Sequence, residues 1–259
     1  MQAHARYRYI DTKHLTLLTG LHYKNLVEPI RELYDAGLIN RLENNKFGRD
    51  RLKDPQVSEI TDVGWEYLET NNALPTRADW LGAGNYKNPV HNLDLCLATA
   101  SAEIAFKEKF IAWGDVLARA PEPTRKLEHP YVFGHKVIDN LFVLDFPKDY
   151  VCIFLELDLS NHGEKEYREK YELLSNIIYK GEYKRRFGMA MNAYVLTITD
   201  SPGRMQNLQS YMPARNNCFL FKAHPEYGKF NKAPAPAPEM FTDFWFNAKG
   251  KPIKLEEIV

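Results

Sequence analysis

The run Tyr150-Val-Cys-Ile-Phe-Leu-Glu-Leu-Asp158 is apolar until it ends in two carboxylates two positions apart. As a buried strand, its alternation places Glu156 and Asp158 on one face. Two acids side by side on a buried face repel and lose hydration, so a cation or hydrogen bonds must compensate. The run Val137-Ile-Asp-Asn-Leu-Phe-Val-Leu144 reads as a neighbouring strand with Asp139 near its start. Together the three residues offer three oxygen donors, a set that suits Mg²⁺ or Mn²⁺. A lysine nearby would then stabilise a phosphoryl transition state or orient water. Two plainer readings stay open. One is a degenerate site in a domain kept for binding, and the other is structural ion pairs with Lys170 or Arg168.

Such carboxylates need a scaffold, and the spacing of apolar residues supplies one. Val90–Phe106 reads as a helix with Leu93, Leu97, Ala100 and Ile104 as its apolar stripe. Phe110–Trp113 is a short strand or loop. After the two acid-bearing strands, Glu164–Tyr179 reads as a long helix, Asn192–Thr199 as a buried strand, Pro202–Tyr211 as a helix and Cys218–Lys222 as a last core strand. His91 has two readings, a hydrogen bond at the helix start or in the core, and a reach to substrate. His129, His135 and His162 show no ligand spacing. Lys180–Arg186 is a second basic patch, read as DNA contact or as a surface loop.

The first seventy residues have a different pattern. Asp11–Thr19 and Tyr23–Ala36 read as helices, with Gly20 ending the first and Pro29 bending or delaying the second. Gly37 supplies a left-handed position before a strand at Leu38-Ile39. Arg41–Lys53 reads as a two-stranded wing, Val57–Thr61 as the return strand, and Asp62–Glu69 as a closing helix. That is the order of a winged helix-turn-helix. In such a unit the start of the second helix reads base edges while the wing holds phosphates. Tyr23, Lys24 and Asn25, behind His22, occupy the first position. Arg41, Lys46, Arg49, Arg51 and Lys53 occupy the wing against Glu43 and Asp50, a net charge of +3. A winged helix used only for protein contacts or dimerisation is the alternative.

Composition sets the outer limits. Lys+Arg 34 balances Asp+Glu 34, so the 259-residue chain is no uniformly basic coat protein, and any nucleic-acid binding is local. With 44% hydrophobic and 26% charged residues it is globular rather than disordered. No apolar run approaches a membrane span, and Met1–Tyr9 has no apolar core of a signal peptide. Cys96, Cys152 and Cys218 are isolated and sit in apolar runs, which argues against a zinc site and for a cytoplasmic protein with buried thiols.

Leu33–Ile39 followed by Ile60-Thr-Asp-Val-Gly64 resembles the signature of winged helix domains. The later elements resemble the PD-(D/E)xK nuclease superfamily: a leading helix with an acid, a strand Asp, a second strand ending in Glu-x-Lys, then a helix. The resemblance implies Glu103 as the helix acid, Asp139 as the Asp and Glu156 as the Glu. Position 138 is Ile where Pro is usual. Position 158 is Asp where Lys is usual, and Lys170 on the next helix fills that role in the way some lineages displace it. More narrowly, the chain resembles the replication-relaxation family of plasmids, phages and other mobile elements, through His91-Asn-Leu-Asp94, Val137-Ile-Asp139, Phe154–Asp158, Lys170 and Val195–Thr199. The resemblance implies metal bound by Glu103, Asp139, Glu156 and Asp158. It implies catalysis by Glu156, Asp158 and Lys170, double-stranded DNA as partner, and replication or relaxosome proteins as further partners.

The expected fold is α/β (α+β): a winged helix-turn-helix over residues 1–70, a linker over 71–89, and a PD-(D/E)xK-like mixed sheet flanked by helices over 90–225. Residues 226–259 follow, with Lys232-Ala-Pro-Ala-Pro-Ala-Pro238 extended and Phe241–Phe246 docking as a strand ahead of a turn at Ala248–Lys251. The aromatic segment is also a candidate strand for exchange in a homodimer.

Overall fold

A computed structural model of the chain describes residues 1–42, 56–71, 89–127, 132–133, 136–159, 162–189, 192–229 and 233–258. Lys46, Arg49, Arg51 and Lys53 of the expected wing, nearly all of the expected linker, and His129 and His135 lie outside them.

The N-terminal unit runs α1 (Gln2–Tyr7), β1 (Tyr9–Asp11), α2 (Thr12–Thr19), α3 (Tyr23–Asp35), β2 (Ile39–Arg41), β3 (Val57–Ile60) and α4 (Asp62–Thr70). Its three strands form an antiparallel sheet in the order β1-β3-β2. Local chemistry sets the boundaries. The Asp11 carboxylate accepts from His14 N at 2.8 Å and starts α2. Gly37, at φ +70°, ends the helix–strand turn after α3. Helix α3 runs through Pro29 from Tyr23, so the proline does not delay its start. The Thr61 hydroxyl accepts from Gly64 N at 3.0 Å and donates to Gly37 O at 2.7 Å, tying α4 to that turn. α1 and β1 are additions to the sequence reading.

Helix α5 (Pro89–Phe106) joins the two halves of the molecule. One side, Leu93, Cys96, Leu97 and Ala100, packs with Ile10, Leu15, Leu26, Ile30 and Ile39 of the N-terminal unit. The other side, Leu95, Ala98, Ala102 and Phe106, packs on the large sheet. The single expected stripe is therefore half of the picture, because a helix that is apolar nearly all round is buried from two sides.

The chain continues through β4 (Phe110–Ile111), α6 (Trp113–Arg119), α7 (Glu122–Arg125), a hairpin of β5 (Val132–Phe133) and β6 (Lys136–Val137), β7 (Asn140–Asp145), β8 (Tyr150–Asp158), α8 (Glu164–Tyr179), α9 (Glu182–Phe187), β9 (Asn192–Thr199), α10 (Pro202–Ser210) and β10 (Phe219–Ala223). The last elements are α11 (Glu239–Thr242), β11 (Trp245–Asn247) and β12 (Pro252–Ile253). The seven-stranded sheet has the order β12-β11-β10-β9-β8-β7-β4. β4, β7 and β8 are antiparallel neighbours, whereas β8, β9 and β10 are parallel, with α8 and α10 in the crossovers. The fold is thus mixed α/β. Among the described residues no helix is long and apolar enough to cross a membrane.

β8 is buried on both faces from Val151 onward, which explains its unbroken apolar run. One face carries Leu141, Val143, Cys152, Phe154 and Val195 beneath Tyr167, Tyr171, Leu174 and Ile177 of α8, with α6, α9 and α10 beside them. The opposite face carries Phe142, Leu144, Ile153, Leu155 and Leu196 beneath α5. Met240, Phe241, Trp245 and Leu255 extend that layer. The expected strand Phe241–Phe246 is in part helical. Only Trp245–Asn247 is a strand, and it pairs with β10 of its own chain. Asn247 Oδ1 accepts from Lys249 N and Lys251 N, closing the turn expected there.

Candidate active site

The register of β7 on β8 begins with Asn140 opposite Leu155, which sets Asp139, the residue just before β7, beside the end of β8. On the other side, the parallel register pairs Glu156 with Thr197 and Asp158 with Thr199. Asp139, Glu156, Asp158, Thr197 and Thr199 therefore line one end of the sheet, on the face covered by α8. The sequence fold puts them there because alternation in β8 leaves Cys152, Phe154, Glu156 and Asp158 on a common side.

Glu156 is fully buried, and Lys170 Nζ from α8 lies 2.6 Å from its Oε2. Burial by itself lowers the Lys170 pKa. Glu156 and then Asp139 outweigh it and hold the ammonium well above its ordinary value. Asp139 Oδ2 accepts from Leu157 N at 3.1 Å. His91, at the start of α5, places Nε2 2.8 Å from Leu157 O and 3.7 Å from Asp139 Oδ2. From the start of α5, His91 thus bonds to the backbone of β8 and stands at the edge of the site.

Asp158 has different company. Its Oδ1 accepts from Tyr167 OH at 2.6 Å and lies 3.5 Å from Arg204 Nη2 of α10. The same Arg204 nitrogen donates to Tyr167 OH, and the guanidinium lies over the Tyr167 ring, 4.8 Å from its centre. Tyr171, on the same helix, is fully buried. Burial, more than any neighbour, pushes its phenol far above the usual range.

These facts revise the expected ligand set. Among the described residues no group of three or more His, Cys, Asp or Glu is disposed to hold a metal ion. Asp158 Oδ1 is engaged with Tyr167 and Arg204, as Glu156 Oε2 is with Lys170 and Asp139 Oδ2 with Leu157 N. Mg²⁺ is commonly held by one or two carboxylates together with water, and Asp139 and Glu156 are donors of that chemistry. Formally the three acids and two cations sum to −1, so a divalent ion would leave a site attractive to a phosphodiester.

Glu103 belongs elsewhere. It sits twelve residues beyond His91 on α5, about 18 Å along the axis. α5 covers the opposite face of the sheet from Glu156. Its Oε1 takes a 2.6 Å ion pair from Arg6, and its Oε2 accepts from Tyr7 OH. The acid on the leading helix docks the N-terminal unit and does not join the carboxylates.

Tyr23, Lys24 and Asn25 are all exposed at the start of α3. Arg41 ends β2 with its guanidinium over the Tyr34 ring. Lys180–Arg186 is not a loop, because Glu182–Phe187 is helix α9. Within it Arg186 pairs with Glu182, covers the Phe133 ring and donates to Val132 O, so that cation is structural.

Sequence reasoning did not single out Tyr167, Tyr171, Thr197, Thr199 or Arg204. A signal existed for four of them. Thr197 and Thr199 are the polar positions on the inward face of an otherwise apolar strand, and Tyr167, Lys170 and Tyr171 share one helical face at i, i+3, i+4 spacing. Arg204 had none, since its partners come from the fold.

A second constellation has the residue types of a hydrolytic triad. Asp11 Oδ2 is 2.9 Å from His14 Nδ1, and His14 Nε2 is 3.1 Å from Ser101 Oγ. All three are buried, and Ser101 Oγ also accepts from Ala237 N at 3.2 Å. Closed over by the described residues, the three form a polar pin between the N-terminal unit, α5 and the proline-rich segment. No protein-family model, curated protein or solved structure matches the chain.

Proposed function

We propose that this is a DNA-directed, Mg²⁺- or Mn²⁺-dependent phosphodiesterase, a nuclease-like protein that nicks or cuts duplex DNA. The observation that carries the reading is the juxtaposition of Glu156 with Lys170 at 2.6 Å, with Asp139 at the same strand end through its bond to Leu157 N. It supports the PD-(D/E)xK resemblance: an Asp before one strand, a Glu near the end of the next, and a lysine supplied by the following helix. The helix, strand and wing-spanning order of residues 1–70 supports the winged helix reading in the same way. The resemblance to replication-relaxation proteins points to replication or transfer of a mobile element.

Asp139 and Glu156 would hold the ion. When bound, it would polarise a phosphoryl oxygen and lower the pKa of coordinated water. Lys170, 2.6 Å from Glu156, would serve as a donor to phosphoryl oxygens. The test is cleavage of supercoiled and linear DNA with each metal, beside Asp139→Ala and Glu156→Ala.

One observation favours a second reading, a non-catalytic replication or relaxosome accessory factor or regulator. The outer face of α3 carries Glu28, Glu32 and Asp35 against Lys24 and Arg31, and Arg31 is paired with Glu28 at 2.5 Å. Tyr23 and Val27 are exposed between them. An acidic, partly apolar helix suits a protein surface better than a phosphate-lined groove. Metal-dependent cleavage of DNA decides between the two.

A further inference from the structure

The resembled pattern places a cation at the second position after the Glu, but here that position is Asp158. The structure brings cations to the strand end from two helices instead. Lys170 arrives from α8 onto Glu156, and Arg204 arrives from α10 onto Asp158. Glu156 and Asp158 are two residues apart on one strand, about 6.5–7 Å, and face the same way.

Arg204 is more closely fixed than an incidental ion pair requires. Tyr167 donates to Asp158 and accepts from Arg204, so the three polar groups close on one another. The Tyr167 ring also lies under the guanidinium and sets its plane. Tyr167 in turn stacks between Tyr171 and Tyr211, with ring centres 6.2 Å away on each side. α10 begins just past the end of β9, where Thr199 is the register partner of Asp158. The guanidinium held there has its side chain 21% exposed, and Lys170, on the acid two residues back along β8, has its side chain 18% exposed.

We propose that Arg204 grips a DNA phosphate next to the one approached by Lys170, and that Asp158 and Tyr167 are positioning residues that hold it there. Asp158 then has a role other than metal ligation. The proposal rests on the nuclease-like reading for the identity of the anion, a phosphodiester of duplex DNA. Arg is suited to the task because its planar fork binds phosphate oxygens in pairs.

The test measures binding of the full chain to a short fluorescent duplex by anisotropy. EDTA is present to stop turnover, and the salt concentration is varied. Arg204→Ala is expected to weaken binding and to flatten the slope of log K against log salt by about one. Arg204→Lys restores the slope, because the charge returns. Tyr167→Phe weakens binding with the slope unchanged, because only the orientation is lost. Thermal melts confirm that each variant is folded, and Arg204→Gln replaces Arg204→Ala if the latter does not fold. With metal added, Arg204→Ala raises KM for DNA more than it lowers kcat. An unchanged affinity and slope in folded Arg204→Ala, or no DNA binding by the unaltered chain, overturns the proposal. A slope lost as expected in a chain that never cleaves DNA leaves the proposal standing and removes the nuclease reading.

Discussion

Lys170 Nζ lies 2.6 Å from Glu156 Oε2, joining the middle of α8 to a fully buried carboxylate near the end of β8. Breaking such a pair leaves one charge buried alone, which costs about 3–5 kcal/mol. Lys170→Met is therefore expected to lower stability by about that much in urea denaturation. The double variant Glu156→Gln/Lys170→Met should recover a large part of the loss, because no lone charge remains. Additive losses would show that the two groups are not coupled.

The glycine of the Ile60–Gly64 motif has a steric cause. A Cβ at Gly64 would lie 2.1 Å from Leu38 O and 2.9 Å from Ile60 Cγ1, so backbone must move. Gly64→Ala should cost about 1–3 kcal/mol, or more if the turn cannot adjust. Gly203 is the control, as a Cβ there meets nothing within 4 Å. Gly203→Ala in α10 is expected to be neutral or to stabilise by up to about 1 kcal/mol. Paired thermal melts check both.

His4 gives the N-terminal unit an acid limit. Burial first, and the chain's terminal ammonium second, lower its pKa to about 3, and its Nε2 bonds with Ser58 Oγ at 2.8 Å. The folded form therefore binds the proton more weakly than the unfolded form, whose value is 6.5. The His4 contribution is complete above about pH 6.5 and is lost progressively as pH falls toward 3. A melting temperature followed through that window should fall less steeply in His4→Gln than in the unaltered chain. Parallel curves would remove His4 as the cause.

Glu103 separates a docking role from a chemical one. Glu103→Gln weakens its bonds to Arg6 and Tyr7, at an expected cost of about 1–2 kcal/mol after allowing for the exposed Arg6. That corresponds to roughly 2–8 °C in melting temperature for a chain of this size. Metal dependence of DNA cleavage should be unaffected. Loss of cleavage in folded Glu103→Gln would return this residue to the metal site.

Strand and helix periodicity made much of the site legible. The alternation of β8 places Glu156 and Asp158 on one face, the helix Glu164–Tyr179 follows with the same bounds, and Lys170 is brought to Glu156. What escaped depends on long-range contacts. The stripe on α5 conceals a second buried side, because a one-dimensional pattern does not say how many layers a helix separates. That second side faces the sheet, and it is why Glu103 points away from the acids. Asp158 reads as a metal ligand until α10 supplies Arg204 from forty-six residues further along. The short α1, α6 and α7 carry too few turns to show a helical period, and Phe241 is drawn into a helix where its aromatic neighbours suggest a strand.

The central claim is that Asp139, Glu156 and Lys170 form a metal-dependent phosphodiesterase site. Incubation of supercoiled DNA with the purified chain in Mg²⁺ or Mn²⁺ tests it most directly. Nicked or linear product is expected from the unaltered protein. Glu156→Ala and Asp139→Ala should abolish it, and Lys170→Met should lower it at least a hundredfold. Absence of cleavage with either metal, or equal cleavage by folded variants, would contradict the account.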